Sequence, residues 1–431
     1  MDAAAFRLLF LAAFAAGLLV EAGLDFLNRR EILRHSSLPR RFGLPPFAGR
    51  IDAETYARGR AYALENLAFG GIARLASAAV SLSLLFSGIL PAFDRALARL
   101  CGDGSTRGVL FLAAAAAVPA LLRLPFAAWS VFRIEGKYGF NTMTWGLFWR
   151  DAARGLLLSA VLGVPALYAL MAFFRFAGGA WWIWAFAFAL AFQLALHFLY
   201  PAFIAPLFNR FAPLPEGELR SALIALAERL RFPLAGIFVM DGSRRSLHSN
   251  AYFTGFGRYR RIVLFDTLLR TMGKEEILAV LAHEIGHYKL KHIAKLLAVQ
   301  AAMQAIVLLT ASLALRTPQL YQAFGFAAAS PSGAFAGPPA AGLYLFLAAF
   351  SALGPLFTPL ANLLSRRHEY QADAFSVEAT RDPGAMQSSL VKLAARNLSN
   401  LTPHPWYSAF HYSHPTLIER VGAIERQGIR G

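Results

Sequence analysis

The sequence predicts an all-α multi-span membrane protein, seven transmembrane helices carrying a small α+β domain at the cytoplasmic face. Three observations predict it. Of the 431 residues, 57% are hydrophobic and only 16% charged, with a mean hydropathy of +0.47, more apolar than a water-soluble chain of this length. Seven stretches are long and apolar enough to cross a bilayer, which takes about 20 helical residues. Two regions, 205–292 and 365–431, are polar enough to fold in water.

The expected spans lie near 4–26, 67–90, 108–128, 154–174, 181–204, 293–315 and 341–364. The chain thus divides into an N-terminal membrane domain of five spans (1–204), a polar part (205–292), spans six and seven (293–364) and a second polar part (365–431). The first span reads as retained rather than as a cleaved leader: it opens with Asp2, carries only Arg7 and has a long apolar run. The third contains Pro119 and Pro125, which spanning helices tolerate. In the fifth, Gln193 and His197 stand at membrane depth, where they would face a water-lined interior or bond between helices.

Loop charges set the orientation. Segment 29–66 carries Arg29, Arg30, Arg34, Arg40, Arg41, Arg50, Arg58 and Arg60, and segment 129–154 carries Arg133, Lys137, Arg150 and Arg154. The loops between these are poorer, with Arg95, Arg99 and Arg107 in one, Arg175 in the next and Arg316 in the last. Positive charge collects on the cytoplasmic side, so the N-terminus is expected outside and the C-terminus inside. The net charge of +17 then reports topology and contact with the anionic lipid bilayer. No nucleic acid is expected, because the basic residues form no continuous face with interleaved aromatics. The single cysteine, Cys101, excludes an intrachain disulfide and a CxxC knuckle.

In the first polar region a helix is expected near 216–231, then a strand over 236–240. A second strand pair follows at 250–253 and 261–265, separated by the turn formers Gly255 and Gly257. A long helix should start near Thr271, with Glu275 and Glu276 at its positive end. The Gly-, Ala-, Ser- and Pro-rich segment 325–340 reads as the loop between spans six and seven.

That long helix carries His283-Glu284-Ile285-Gly286-His287. Positions i and i+4 share a helix face, so two imidazoles can grip one Zn²⁺, one ion per chain. Glu284 stands beside them as the base for the attacking water, and Gly286 keeps that side of the helix open. Two surface histidines on an amphipathic helix are the plainer alternative, but a chance HExxH is expected on the order of once in a hundred such chains. A catalytic zinc needs a third protein ligand. The stretch Ser365-Arg366-Arg367-His368-Glu369-Tyr370-Gln371-Ala372-Asp373 offers Glu369, with His368 as the competing ligand. Asp373, one turn on, could accept the free N–H of a ligand histidine and fix its tautomer.

With Glu135-Gly136-Lys137-Tyr138-Gly139-Phe140-Asn141, Ser246-Leu247-His248-Ser249-Asn250-Ala251-Tyr252-Phe253, Arg261–Thr267 and the tail His411-Tyr412-Ser413-His414-Pro415 with Glu419-Arg420, these stretches make the chain resemble the type I CAAX prenyl protease family, seven-span zinc endopeptidases. The resemblance implies that the spans enclose a chamber and that the polar parts form a zincin-like catalytic domain. It implies that His283, His287 and Glu369 bind zinc, against His368, and that Glu284 is the base. It further implies that Asn250, Ala251, Tyr252 and Phe253 lie along the substrate, and that His414 and Arg420 face the scissile peptide. The partner would be a peptide or protein substrate, prenylated or membrane-associated in the family.

Two other functions fit parts of the sequence: a broad-specificity quality-control membrane protease, and, more distantly, a transporter or receptor with a structural metal. The first shares the chemistry but usually has fewer spans; the second would not need Glu284. High Ala, Arg and Leu content points to a bacterial inner membrane, where prenylated proteins would not be the native substrate.

Overall fold

The computed structural model describes residues 2–255, 260–328 and 333–428; Gly257 and part of the 325–340 loop lie outside them. The chain opens with α1 (Ala3–Arg34), started by the Asp2 carboxylate, which accepts the Ala5 N–H at 2.7 Å. Helix α2 (Ala53–Phe86) starts in the same way on Asp52, at 2.7 Å from the Thr55 nitrogen. Such caps satisfy donors that the first helical turn leaves unpaired. Helix α3 (Ile89–Cys101) occupies a segment expected to be loop. Helix α4 (Ser105–Trp129) contains both prolines and runs on through a π-turn, Ser130–Glu135. Then come α5 (Trp145–Ala177), α6 (Trp181–Leu199) and the short α7 (Ala205–Phe208).

Where seven spans were expected, five helical segments among the described residues are long and apolar enough to cross a membrane. Two features account for the difference. The fourth and fifth expected spans fall within one helical run, 145–208, which folds back on itself at Gly178–Ala180. A straight helix would hold Phe173 and Phe188 about 22 Å apart, yet their rings meet at 5.9 Å. Gly178, at φ 50°, makes that reversal without steric cost. The seventh expected span is divided at Ala352-Leu353 into α13 (Pro339–Ser351) and α14 (Gly354–Thr380). Leu19, Leu75, Leu156, Val161, Ile306 and Leu313 are exposed on the long helices, as a lipid-facing perimeter requires. On α6, His197 is exposed and Gln193 half-buried.

Past the membrane helices the chain forms β1 (Phe211–Pro213), α8 (Glu218–Arg229), β2 (Leu234–Met240), β3 (Ala251–Thr254), β4 (Arg260–Phe265) and α9 (Asp266–Leu269). The strands build one mixed sheet in the order β1-β2-β4-β3, with β2 and β4 parallel and the other pairs antiparallel. Strand β3 is therefore an edge. Helix α10 (Lys274–Lys289) lies on the sheet, burying Ile277, Leu281 and Ile285 with Leu223, Ile262, Leu264 and Leu268. Burying a side chain of that kind contributes about 1.5–3 kcal/mol, so the motif helix is firmly seated. Its N-terminus is closed by Glu276, whose carboxylate accepts the Gly273 N–H at 2.8 Å and meets Lys392 at 2.7 Å.

The chain then passes through α11 (His292–Ala314), α12 (Pro318–Gln322), α13 and α14, and ends in α15 (Pro383–Arg396), α16 (Pro405–His411) and α17 (Leu417–Gly428). Helix α14 returns to pack along α10, where the Ser376 hydroxyl donates to the Ala279 carbonyl at 2.7 Å.

Candidate metal centre

His283 and His287 project from one face of α10 toward Glu369 on α14, and one ligand atom from each lies within 4.8 Å of the others. The two Nε2 atoms are 3.1 Å apart. Glu369 stands 3.6 Å from Nε2 of His283 and 3.4 Å from Nε2 of His287. Its Oε2 is buried without a hydrogen-bond partner.

The far side of each imidazole is engaged. Nδ1 of His283 meets Asp373 Oδ1 at 2.8 Å; a carboxylate only accepts, so Nδ1 carries the proton. Nδ1 of His287 faces Nδ1 of His292 at 3.0 Å, and Nε2 of His292 faces the Gln371 Oε1 at 3.0 Å. Because that amide oxygen accepts, Nε2 of His292 donates and its Nδ1 accepts from His287. Both imidazoles therefore turn an unprotonated Nε2 to the same point, beside a carboxylate oxygen that has no hydrogen-bond partner among the described residues. Such a cluster of acceptors can share one cation, and its donor set and outer partners suit Zn²⁺.

His292 and Gln371 escaped the sequence reading. His292 is five residues beyond His287, off the face of a continuous helix. Lys291, in the left-handed region at φ 57°, breaks the helix and swings His292 back. A third histidine just past a helix stop was the available signal. His368 points elsewhere: its ring stacks on His292 at 4.0 Å.

Asp373 is buried and bound by Arg420, whose Nε and Nη2 donate at 2.8 and 2.5 Å. Burial opposes its charge, but Arg420 and His283 outweigh burial and hold the carboxyl far below its usual range. For Glu369, burial is outweighed by His287, His283, Arg420 and His414, leaving the carboxyl at about 2. In His283, burial disfavours the charged ring, yet the bond to Asp373 prevails over it and over the Arg420 charge, and the pKa rises. Glu284 differs in sign: burial dominates and pushes its carboxyl up against the pull of both histidines.

His414 stands 3.4 Å from Glu369 with 62% of its side chain exposed, so it lines the mouth of the site. Arg420 is mostly buried, with Nη1 3.4 Å from Glu369. A cavity of about 480 Å³ opens here, lined by His411, Tyr412, His414, Thr416 and Arg420 among others. Strand β3 runs beside α10 with Asn250 exposed at its start. The rings of Tyr252 and Phe253 pack on Phe265 and Phe232, at 6.3 and 6.1 Å.

Two family models divide the chain: "CAAX prenyl protease N-terminal, five membrane helices" over residues 28–210, and peptidase family M48 over 213–427. Similarity continues along nearly the whole length. A CAAX prenyl protease 1 homolog of Oryza sativa subsp. japonica is 39% identical over 416 residues, 94% of each chain. The chain belongs to the CAAX prenyl protease 1 family. CAAX prenyl protease 1 of Saccharomyces cerevisiae is 35% identical, with 89% of this chain and 88% of the yeast protein aligned. The Homo sapiens homolog is 33% identical over the same shares. Among solved structures, the crystal structure of S. mikatae Ste24p superposes with a TM-score of 0.89 at 32% identity, covering 97% of this chain and 99% of that one. Membership makes this a membrane metallopeptidase in kind. These relatives are eukaryotic, so they lend no support to the bacterial reading.

Proposed function

We propose that the chain is a zinc endopeptidase of the gluzincin type, holding one Zn²⁺ through His283, His287 and Glu369. The convergence of two Nε2 lone pairs on a Glu369 oxygen without a hydrogen-bond partner among the described residues carries the proposal. Zinc there supplies Lewis acidity, which acidifies water and polarises a carbonyl. Glu284 takes the proton of the attacking water and returns it to the leaving amine. His414, exposed at the mouth, donates to the developing oxyanion. Arg420 gives two of its donors to Asp373, so it steadies the His283 support as well as presenting Nη1 toward the site. The free edge of β3 offers main-chain groups that can hold a peptide extended.

Relatives named CAAX prenyl protease 1 support a prenylated C-terminal peptide as substrate, ahead of a broad quality-control role. The basic loops support seven spans, counting the 145–208 hairpin as two and α13 with the start of α14 as the seventh. They also support an outside N-terminus and a cytoplasmic site, and the family resemblance supports the enclosed chamber. The test is Glu284→Gln in purified protein, with zinc measured by mass spectrometry and prenylated and plain peptides as substrates. The variant should retain one zinc and lose turnover by about 10²–10⁴. Retained turnover would refute the base, and equal cleavage of both peptides would refute a prenyl-specific role.

A further inference from the structure

Outside the metal centre, three remote segments meet on one imidazole. His248, just before β3, has Nε2 3.0 Å from Glu135 Oε2 at the end of α4, and Nδ1 3.2 Å from Asn397 Oδ1 at the end of α15. The Asn397 amide is oriented by the backbone of Ser249. Its Oδ1 accepts the Ser249 N–H at 3.1 Å and its Nδ2 donates to the Ser249 carbonyl at 3.3 Å; the flipped amide would set donor against donor. Both ring nitrogens of His248 therefore face acceptors, and an imidazole donates from both only as the imidazolium.

The surrounding groups pack on the ring or tie its segment down. Phe140 stacks on it at 4.0 Å. Tyr62, on α2, donates its hydroxyl to the other oxygen of Glu135. The Thr267 hydroxyl, at the start of α9, donates to the His248 carbonyl at 2.9 Å. Arg245, on the same segment, is turned away to Asp151 at 2.8 Å. The segment is also tied to the 135–141 stretch through Leu247, whose N–H donates to the Phe140 carbonyl at 2.9 Å, and through an Asn141–Ser246 bridge.

We propose that the Glu135–His248–Asn397 clamp positions β3 for substrate, with His248 as its centre. The proposal rests on the reading of β3 as the strand that holds the peptide, and it gives the Glu135–Asn141 stretch a role. His248 is a positioning residue: it fixes Ser249 and Asn250, not the scissile bond. With glutamine at position 135 the amide can still bond the ring and the clamp survives, whereas alanine there leaves Nε2 without that partner.

The experiment measures kcat and KM on a fluorogenic peptide, with zinc content and Tm recorded. His248→Ala and Glu135→Ala should each raise KM about tenfold with kcat little changed and zinc retained, while Glu135→Gln should stay near the wild-type KM. An unchanged KM in either alanine variant, a Glu135→Gln KM raised as far as that of Glu135→Ala, or a defect confined to kcat or zinc content would each overturn the clamp. Asn250→Ala separates the two readings. If it raises KM and the clamp variants do not, the strand reading stands and the clamp falls; if it leaves KM unchanged, both fall.

Discussion

At the scale of single residues, the outer partners of the two histidines do as much to define the centre as the ligands. His283 depends on Asp373 and His287 on the His292–Gln371 relay. His292→Phe keeps a ring to stack on His368 but removes the acceptor. It should weaken zinc binding by about 10–100-fold, measured by chelator competition; an unchanged affinity would sink the relay. The pairing of His283 with His287 was legible in the sequence because an i, i+4 spacing is itself the geometry of a helix face. Glu369 was only half legible: it comes from a distant helix, and His368 beside it has comparable chemistry. The relay was hidden, because it depends on the chain reversal at Lys291, which no periodicity records.

At the scale of elements, the centre exists because α10 and α14 approach very closely. Gly286 was expected to leave its side of the helix open; in the structure that side is filled by α14. A Cβ at Gly286 would stand 3.2 Å from Phe375 Cβ and 3.3 Å from the Ala372 Cα. Gly286→Ala should therefore cost about 1–3 kcal/mol and push away the helix that carries Glu369. A lowered Tm together with weaker zinc binding is the expected result; an unchanged affinity would show that α14 does not move. The sheet and its helix were legible from strand-like runs and turn formers, with α8 and α10 falling close to their expected ranges. Strand β1 is three residues long and contains Pro213, too little pattern to read. Helix α3 was missed because it is amphipathic and polar enough to pass for a loop, and the break at Ala352-Leu353 because the apolar run continues through the Gly354-Pro355 pair that marks it.

At the scale of the molecule, the proposed topology places Cys101 across the bilayer from the centre. This exposed thiol is the chain's single cysteine, so the arrangement can be tested without altering the membrane domain. A membrane-impermeant maleimide should label Cys101 in intact cells. In a Cys101→Ser background, a cysteine in place of the exposed Arg270 should react only after lysis. The reverse pattern would invert the topology. The two ligand-bearing helices also carry a consequence for biosynthesis. The ribosome makes the paired histidines and the base first, and Glu369 arrives only after α11, α12 and α13 have been synthesised. A truncated or half-inserted chain has both imidazoles yet cannot complete the donor set. On the proposed ligand set, proteolytic competence would be tied to a finished, correctly threaded polypeptide, a safeguard against digestion of neighbouring proteins during assembly.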